Sequence, residues 1–142
     1  LNDSLTLTLS CDSVMPQQAA LHSYFAVNNL SSVLVRPLPA SYHDKVRDVV
    51  VDNGSAIATF NAETDRIYHQ SAAQLWLEQA EQLLSLSQCG HDATVVWNPW
   101  QEKSSKMSDL QLDSYQQFVC VETAHLTTDK QALTLSQQLK RT

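Results

Sequence analysis

From Leu5 to Cys11 the chain reads Leu-Thr-Leu-Thr-Leu-Ser-Cys. An apolar residue at every second position gives an extended strand one greasy face, whereas a helix, repeating about every 3.6 residues, would scatter it. Runs of strand length recur, and strands are predicted over 21–27, 33–35, 46–51, 56–60, 94–97, 118–124 and 132–139. Turn chemistry lies between them. Asp52-Asn53-Gly54 is a hairpin signal, Asn98-Pro99 ends its strand, and the prolines of Arg36-Pro37-Leu38-Pro39 stop ladder bonding after Val35. Residues 70–88 are rich in helix-favouring Gln, Ala, Leu and Glu, yet Leu75/Leu77 and Leu84/Leu86 alternate around a polar break at 79–82. We read a hairpin there, with one helix as the alternative. Residues 103–117 are polar and predict a loop with a turn or so of helix. With only two glycines, the turns must lean on Asn, Asp, Ser and Pro. Many short strands with turns between them imply an all-β fold, a sandwich or a barrel.

The 142 residues suffice for a single domain, 1–142, with its own core, and a 43% hydrophobic, 17% charged composition is ordinary for a globular chain. A net charge of −6 with scattered basic residues argues against nucleic acid as a partner, while leaving room for a small anionic ligand in a local basic pocket. Cys11, Cys89 and Cys120 are an odd set with no CxxC pair and read as small buried hydrophobes, which fits a reducing, cytoplasmic compartment. No apolar run approaches the length of a membrane helix, and no charged-then-apolar leader opens the chain, so no membrane partner is expected. Leu1 is not an initiator methionine, so we expect a longer reading frame or a processed precursor.

Against this background a few ionisable residues stand out. Glu122 follows Phe118-Val119-Cys120-Val121, a run apolar on both faces, where an unpaired carboxylate costs several kcal/mol and needs a partner or a task. Either it reaches water or an arginine at a strand end, or burial tunes it as a base. His22 lies between Leu21 and the aromatic pair Tyr24 and Phe25; it is either a core histidine bonded to a carbonyl or part of a cleft wall shared with Ala20 and Tyr24. Asp65, in Thr-Asp-Arg-Ile-Tyr-His, is either half of a surface ion pair with Arg66 or a fixed acceptor for sugar hydroxyls. Trp97 and Trp100 are either core or the walls of a carbohydrate cleft. His43, His69, His91 and His125 are not at metal-ligand spacings, and Cys89-Gly90-His91 is too short for a zinc site. No G-x-S-x-G elbow or Gly-rich phosphate loop occurs, so neither metal nor cofactor is expected.

The words AALHSYFAV, SYHDKV, ETDRIYH, VVWNPWQEKSSKMSD and FVCVETA, in that order over most of the chain, resemble the glucose-6-phosphate 1-epimerase (hexose-6-phosphate mutarotase) branch of the aldose 1-epimerase superfamily. The resemblance implies a galactose-mutarotase-like β-supersandwich that interconverts the α and β anomers of a phosphorylated hexose. By the same resemblance His22 is the general acid, Glu122 the general base, and Asp65 a ligand of sugar hydroxyls. Members of that family are longer, and the match is to their C-terminal half; the N-terminal half, which supplies arginines for the substrate phosphate, is then a partner of this segment. A half-sandwich would expose strand edges and apolar surface that the other half covers.

Mutarotation asks little of a protein. The C1 hydroxyl loses a proton while the ring oxygen gains one, the aldehyde rotates about C1–C2, and the ring recloses. One base and one acid on opposite sides of the hemiacetal suffice, each worth roughly 10²–10⁴-fold. Asp65 within hydrogen-bonding range would help keep His22 charged. Two other readings compete: a carbohydrate-binding sandwich without catalysis, and a fragment inactive until another segment completes its sheets.

Overall fold

The computed structural model describes residues 3–142; Leu1, singled out above for not being methionine, lies outside them. The chain runs through β1 (Ser4–Pro16), β2 (Ala19–Leu21), β3 (Tyr24–Ala26), β4 (Leu34–Arg36), β5 (Tyr42–Asp44) and β6 (Val49–Val51). It continues through β7 (Thr64–His69), β8 (Gln74–Gln79), β9 (Gln82–Cys89), β10 (Ala93–Asn98), the short helix α1 (Trp100–Ser104), β11 (Phe118–His125) and β12 (Lys130–Arg141). The strands form two antiparallel sheets. One is five-stranded, ordered β1-β12-β9-β8-β4; the other is seven-stranded, ordered β2-β11-β10-β7-β5-β6, with β3 also on β11. Among the described residues no helix is long and apolar enough to cross a membrane.

The inner faces of the sheets make the core: Val35, Leu75, Leu77 and Leu86 from one, and Phe25, Tyr68, Val96, Val119 and Val121 from the other. Alternation makes this possible, since Val119 and Val121 point inward while Phe118, Cys120 and Glu122 take the outer face of the seven-stranded sheet. The periphery is apolar as well. On the edge strands Leu5 is 56% and Val50 67% exposed.

Several local expectations change. The hairpin of residues 70–88 is β8 and β9, paired from Gln74↔Ser87 to Gln79↔Gln82. Residues 46–51 yield only β6, because the turn at 45–48 joins it to β5, a strand the sequence did not announce. Asp52-Asn53-Gly54 therefore makes no hairpin with 56–60, whose ladder contact among the described residues is the single bridge Val35↔Ala58. Strand β7 was also missed, since the charged pair in Thr-Asp-Arg-Ile-Tyr-His masks a strand in which only Thr64 and Tyr68 are buried. Finally, residues 21–27 are not one strand: the ladder on β11 breaks between Leu21 and Tyr24, at His22.

Candidate active site

The break that carries His22 is a local turn. The Ser23 N–H donates to the Leu21 carbonyl (3.1 Å), closing a three-residue turn centred on His22, and the Val121 N–H donates to the Ser23 carbonyl (3.3 Å). No residue is inserted, since Leu21 faces Thr123 and Tyr24 faces Cys120, three positions along each strand. Alternation is preserved across the kink. His22 and Tyr24 therefore share the outer face with Glu122, while Phe25 goes to the core.

Glu122 sits in β11, a strand buried along its whole length and flanked by β10 on one side and the β2/β3 pair on the other. Its Oε1 lies 3.2 Å from His22 Nε2; the glutamate side chain is 10% exposed and the imidazole 44%. Burial pushes the Glu122 carboxyl above its ordinary range; His22 pulls it down, and the charge on Asp65 adds to the rise. Next to it, burial and then the Glu122 charge push the Cys120 thiol up, leaving it a protonated wall.

An aromatic surround frames the pair. The His22 ring stacks on Tyr24 (centroids 4.9 Å apart) and meets Trp97 edge-on at 5.8 Å, while Phe118 lies 5.2 Å from Tyr24 and 5.9 Å from Trp97. Trp97 thus belongs to the site face. Trp100 does not: it packs on Tyr115 at 5.4 Å and against the core. The Trp100 N–H donates to Asn98 Oδ1 (2.9 Å), while Asn98 Nδ2 holds the Tyr115 and Phe118 carbonyls, so this local framework ends β10.

Asp65 reaches the same face from β7, as the register partner of Trp97, which in turn faces Cys120. Two strand spacings, about 10 Å of backbone, separate its row from β11. Burial raises its carboxyl, Lys103 and Lys45 pull it down, and Glu63 and Asp44 push it up again. The structure thus gathers His22, Glu122 and Asp65 on one sheet face. Their arrangement differs from the expectation in one respect: acid and base do not face each other across a hollow but touch, on a face open to solvent at His22 and Tyr24. Arg66, the ion-pair partner considered for Asp65, points to the other side, its guanidinium 4.9 Å over the Tyr42 ring. Sequence reasoning overlooked Gln137, which bonds to Ser23 from the inner face. A signal was there: a glutamine in the apolar register of Leu133, Leu135 and Leu139.

Known proteins share both sequence and fold with this chain. A protein of Salmonella typhimurium provisionally named a glucose-6-phosphate 1-epimerase is 37% identical over 119 residues, covering 80% of this chain and 40% of its own length. Its Escherichia coli namesake is 37% identical over 112 residues, 75% of this chain and 37% of its own. The crystal structure of a provisionally named mutarotase from Salmonella typhimurium superposes with a TM-score of 0.90 at 29% identity, covering 97% of this chain and 50% of that one. The fold of the protein HI1317 agrees as well, with a TM-score of 0.86 at 24% identity over 98% of this chain and 51% of that one. The chain thus spans about half or less of the length of these relatives. The family model described as aldose 1-epimerase matches residues 1–140, and the chain belongs to that family.

Proposed function

We propose that this chain carries the acid–base pair of a hexose-6-phosphate mutarotase, with Glu122 as general base and His22 as general acid. One observation carries the reading: a buried carboxylate and a half-exposed imidazole lie 3.2 Å apart on an open aromatic sheet face. Their contact suits the chemistry better than opposition would. The two oxygens that exchange protons in mutarotation, the C1 hydroxyl and the ring oxygen, are bonded to the same carbon, so neighbouring groups can reach both.

In the forward step Glu122 takes the proton of the C1 hydroxyl, the C1–ring-oxygen bond breaks, and His22, as imidazolium, gives its proton to the departing oxygen. The aldehyde turns about C1–C2. On closure the C5 hydroxyl attacks the other face of C1, His22 recovers its proton and Glu122 returns the one it took. Both groups end as they began, with no net proton exchange. Burial suits Glu122 to this task, since a carboxylate with a raised pKa accepts a proton more readily than an ordinary one. Asp65 accepts hydrogen bonds from ring hydroxyls, and Trp97 and Tyr24 give the sugar apolar faces to lie against.

The substrate phosphate calls for cations beyond Lys45 and Lys103, which act on Asp65, Lys103 being already paired with Glu63. Arg36 pairs with Glu78, Arg47 with Asp44, and Arg66 with the Tyr42 ring. A further segment, the counterpart of the longer relatives' remaining length, would supply them, residues 1–142 then forming the C-terminal portion of one epimerase domain. Two-dimensional exchange NMR on the anomers of glucose 6-phosphate tests the reading in the full-length protein. Cross-peaks should build up faster than in buffer, and Glu122→Gln or His22→Ala should remove most of the gain; equal rates in all three proteins would end it. Binding of the sugar with no acceleration would leave a carbohydrate-binding sandwich instead.

A further inference from the structure

Four polar side chains meet in the middle of the apolar core. Gln88 of β9 and Gln137 of β12 are register partners in one sheet; Thr94 of β10 and Thr123 of β11 are register partners in the other. All four are at least nine-tenths buried. The Gln137 amide donates to the Val121 carbonyl (3.1 Å) and to Thr123 Oγ1 (3.0 Å), and its oxygen accepts from Ser23 Oγ (2.5 Å). Thr123 Oγ1 donates to Gln88 Oε1 (3.1 Å), and the Gln88 amide donates to Thr94 Oγ1 and the Ala72 carbonyl, both at 2.8 Å. Both amide protons of each glutamine are used, so the network is satisfied, a condition without which burying it would cost several kcal/mol.

The ends of the Gln137 bonds are what matter. Val121 and Thr123 flank Glu122 in β11, and Ser23 follows His22 in the turn that lifts it out of the ladder. One inward-facing side chain thus bonds to the backbone or side chains on both sides of the base and to the neighbour of the acid. An apolar residue would satisfy the core register, as Leu133 and Leu135 do on the same face of β12. It could not tie the Ser23 turn to β11.

We propose that Gln137 is a positioning residue that fixes the separation of His22 and Glu122 from the far side of the sheet. This rests on the acid–base reading above, and the test separates the two. The ¹⁵N resonance of the His22 Nε2, which reports its contact with Glu122, and the anomerisation rate are measured in the full-length protein. In Gln137→Leu the resonance should move toward its position in Glu122→Gln. The same variant should lose about 10–100-fold in kcat with KM changed no more than about twofold, as expected when placement rather than binding is lost. Leu135→Ala, a truncation on the same face of the same strand that breaks none of these bonds, should lower the Tm and leave both readouts at wild-type values. If Gln137→Leu does not fold, Ser23→Ala, which removes only the bond beside His22, is read the same way. A folded variant with wild-type resonance and kcat overturns the proposal even if its Tm has fallen, and so does an equal shift in Leu135→Ala. If the wild-type protein accelerates nothing, the mutarotase reading fails while the resonance still decides the role of Gln137.

Discussion

Replacing Glu122 with glutamine should make this protein more stable while removing the proposed base. The Glu122 side chain is 10% exposed in a strand buried on both faces, and its ion-pair partner among the described residues, His22, is 44% exposed. A contact with so exposed a partner is worth no more than about 1 kcal/mol. The desolvation of a carboxylate at this depth costs several kcal/mol. Glutamine keeps the shape, drops the charge, and strands no buried partner, since the imidazole is 44% exposed. The expected net gain at pH 7 is about 1–3 kcal/mol, or roughly 3–10 °C in Tm for a chain of this length. Its pH dependence follows from the raised carboxyl. Between the ordinary value of 4.5 and the raised folded-state value, the folded protein holds the Glu122 proton more tightly than the unfolded chain. Wild-type stability therefore falls, relative to the variant, as pH rises through that window, and the difference shrinks below it. Thermal and urea unfolding of both proteins at about pH 4 and pH 7 measure it. A Glu122→Gln protein less stable than wild type at pH 7, or a difference indifferent to pH, would refute the reasoning that burial sets this carboxylate.

Two further substitutions have defined outcomes. Asp65→Asn keeps the shape of the side chain but weakens hydrogen bonds to sugar hydroxyls; losing charge-assisted bonds worth about 1.5–3 kcal/mol should lower kcat/KM for glucose 6-phosphate by roughly 10–100-fold. An unchanged kcat/KM would remove Asp65 from the sugar site. Gly90→Ala should destabilise the fold by about 2–5 kcal/mol, because Gly90 has φ +76° and a Cβ there would lie 1.9 Å from the Thr134 carbonyl oxygen. Denaturant unfolding reads this, and a loss under about 0.5 kcal/mol, the range of an ordinary surface change, would contradict it.

What could be read from the sequence depended on how far each contact lies along the chain. The β8–β9 hairpin was legible because its alternation and its polar break are local. Glu122 was legible because a charge in a doubly apolar strand is anomalous wherever that strand goes. Strands β5 and β7 were not, since their coverage comes from partners distant in sequence, and Tyr42, Asp65 and Arg66 look like loop residues without them. The kink at His22 was also illegible: Gln137, which bonds Ser23, lies 114 residues away. The contact between His22 and Glu122 follows from that kink and from the pairing of β2 and β3 with β11, which no spacing encodes.

A crystal structure of the full-length protein with glucose 6-phosphate tests most directly whether this sheet face turns over a hemiacetal. The C1 hydroxyl should rest on the Glu122 carboxylate and the ring oxygen within hydrogen-bonding reach of His22 Nε2, with a ring hydroxyl on Asp65. A sugar seated away from this face, or held on it with C1 turned from both residues, would contradict the account.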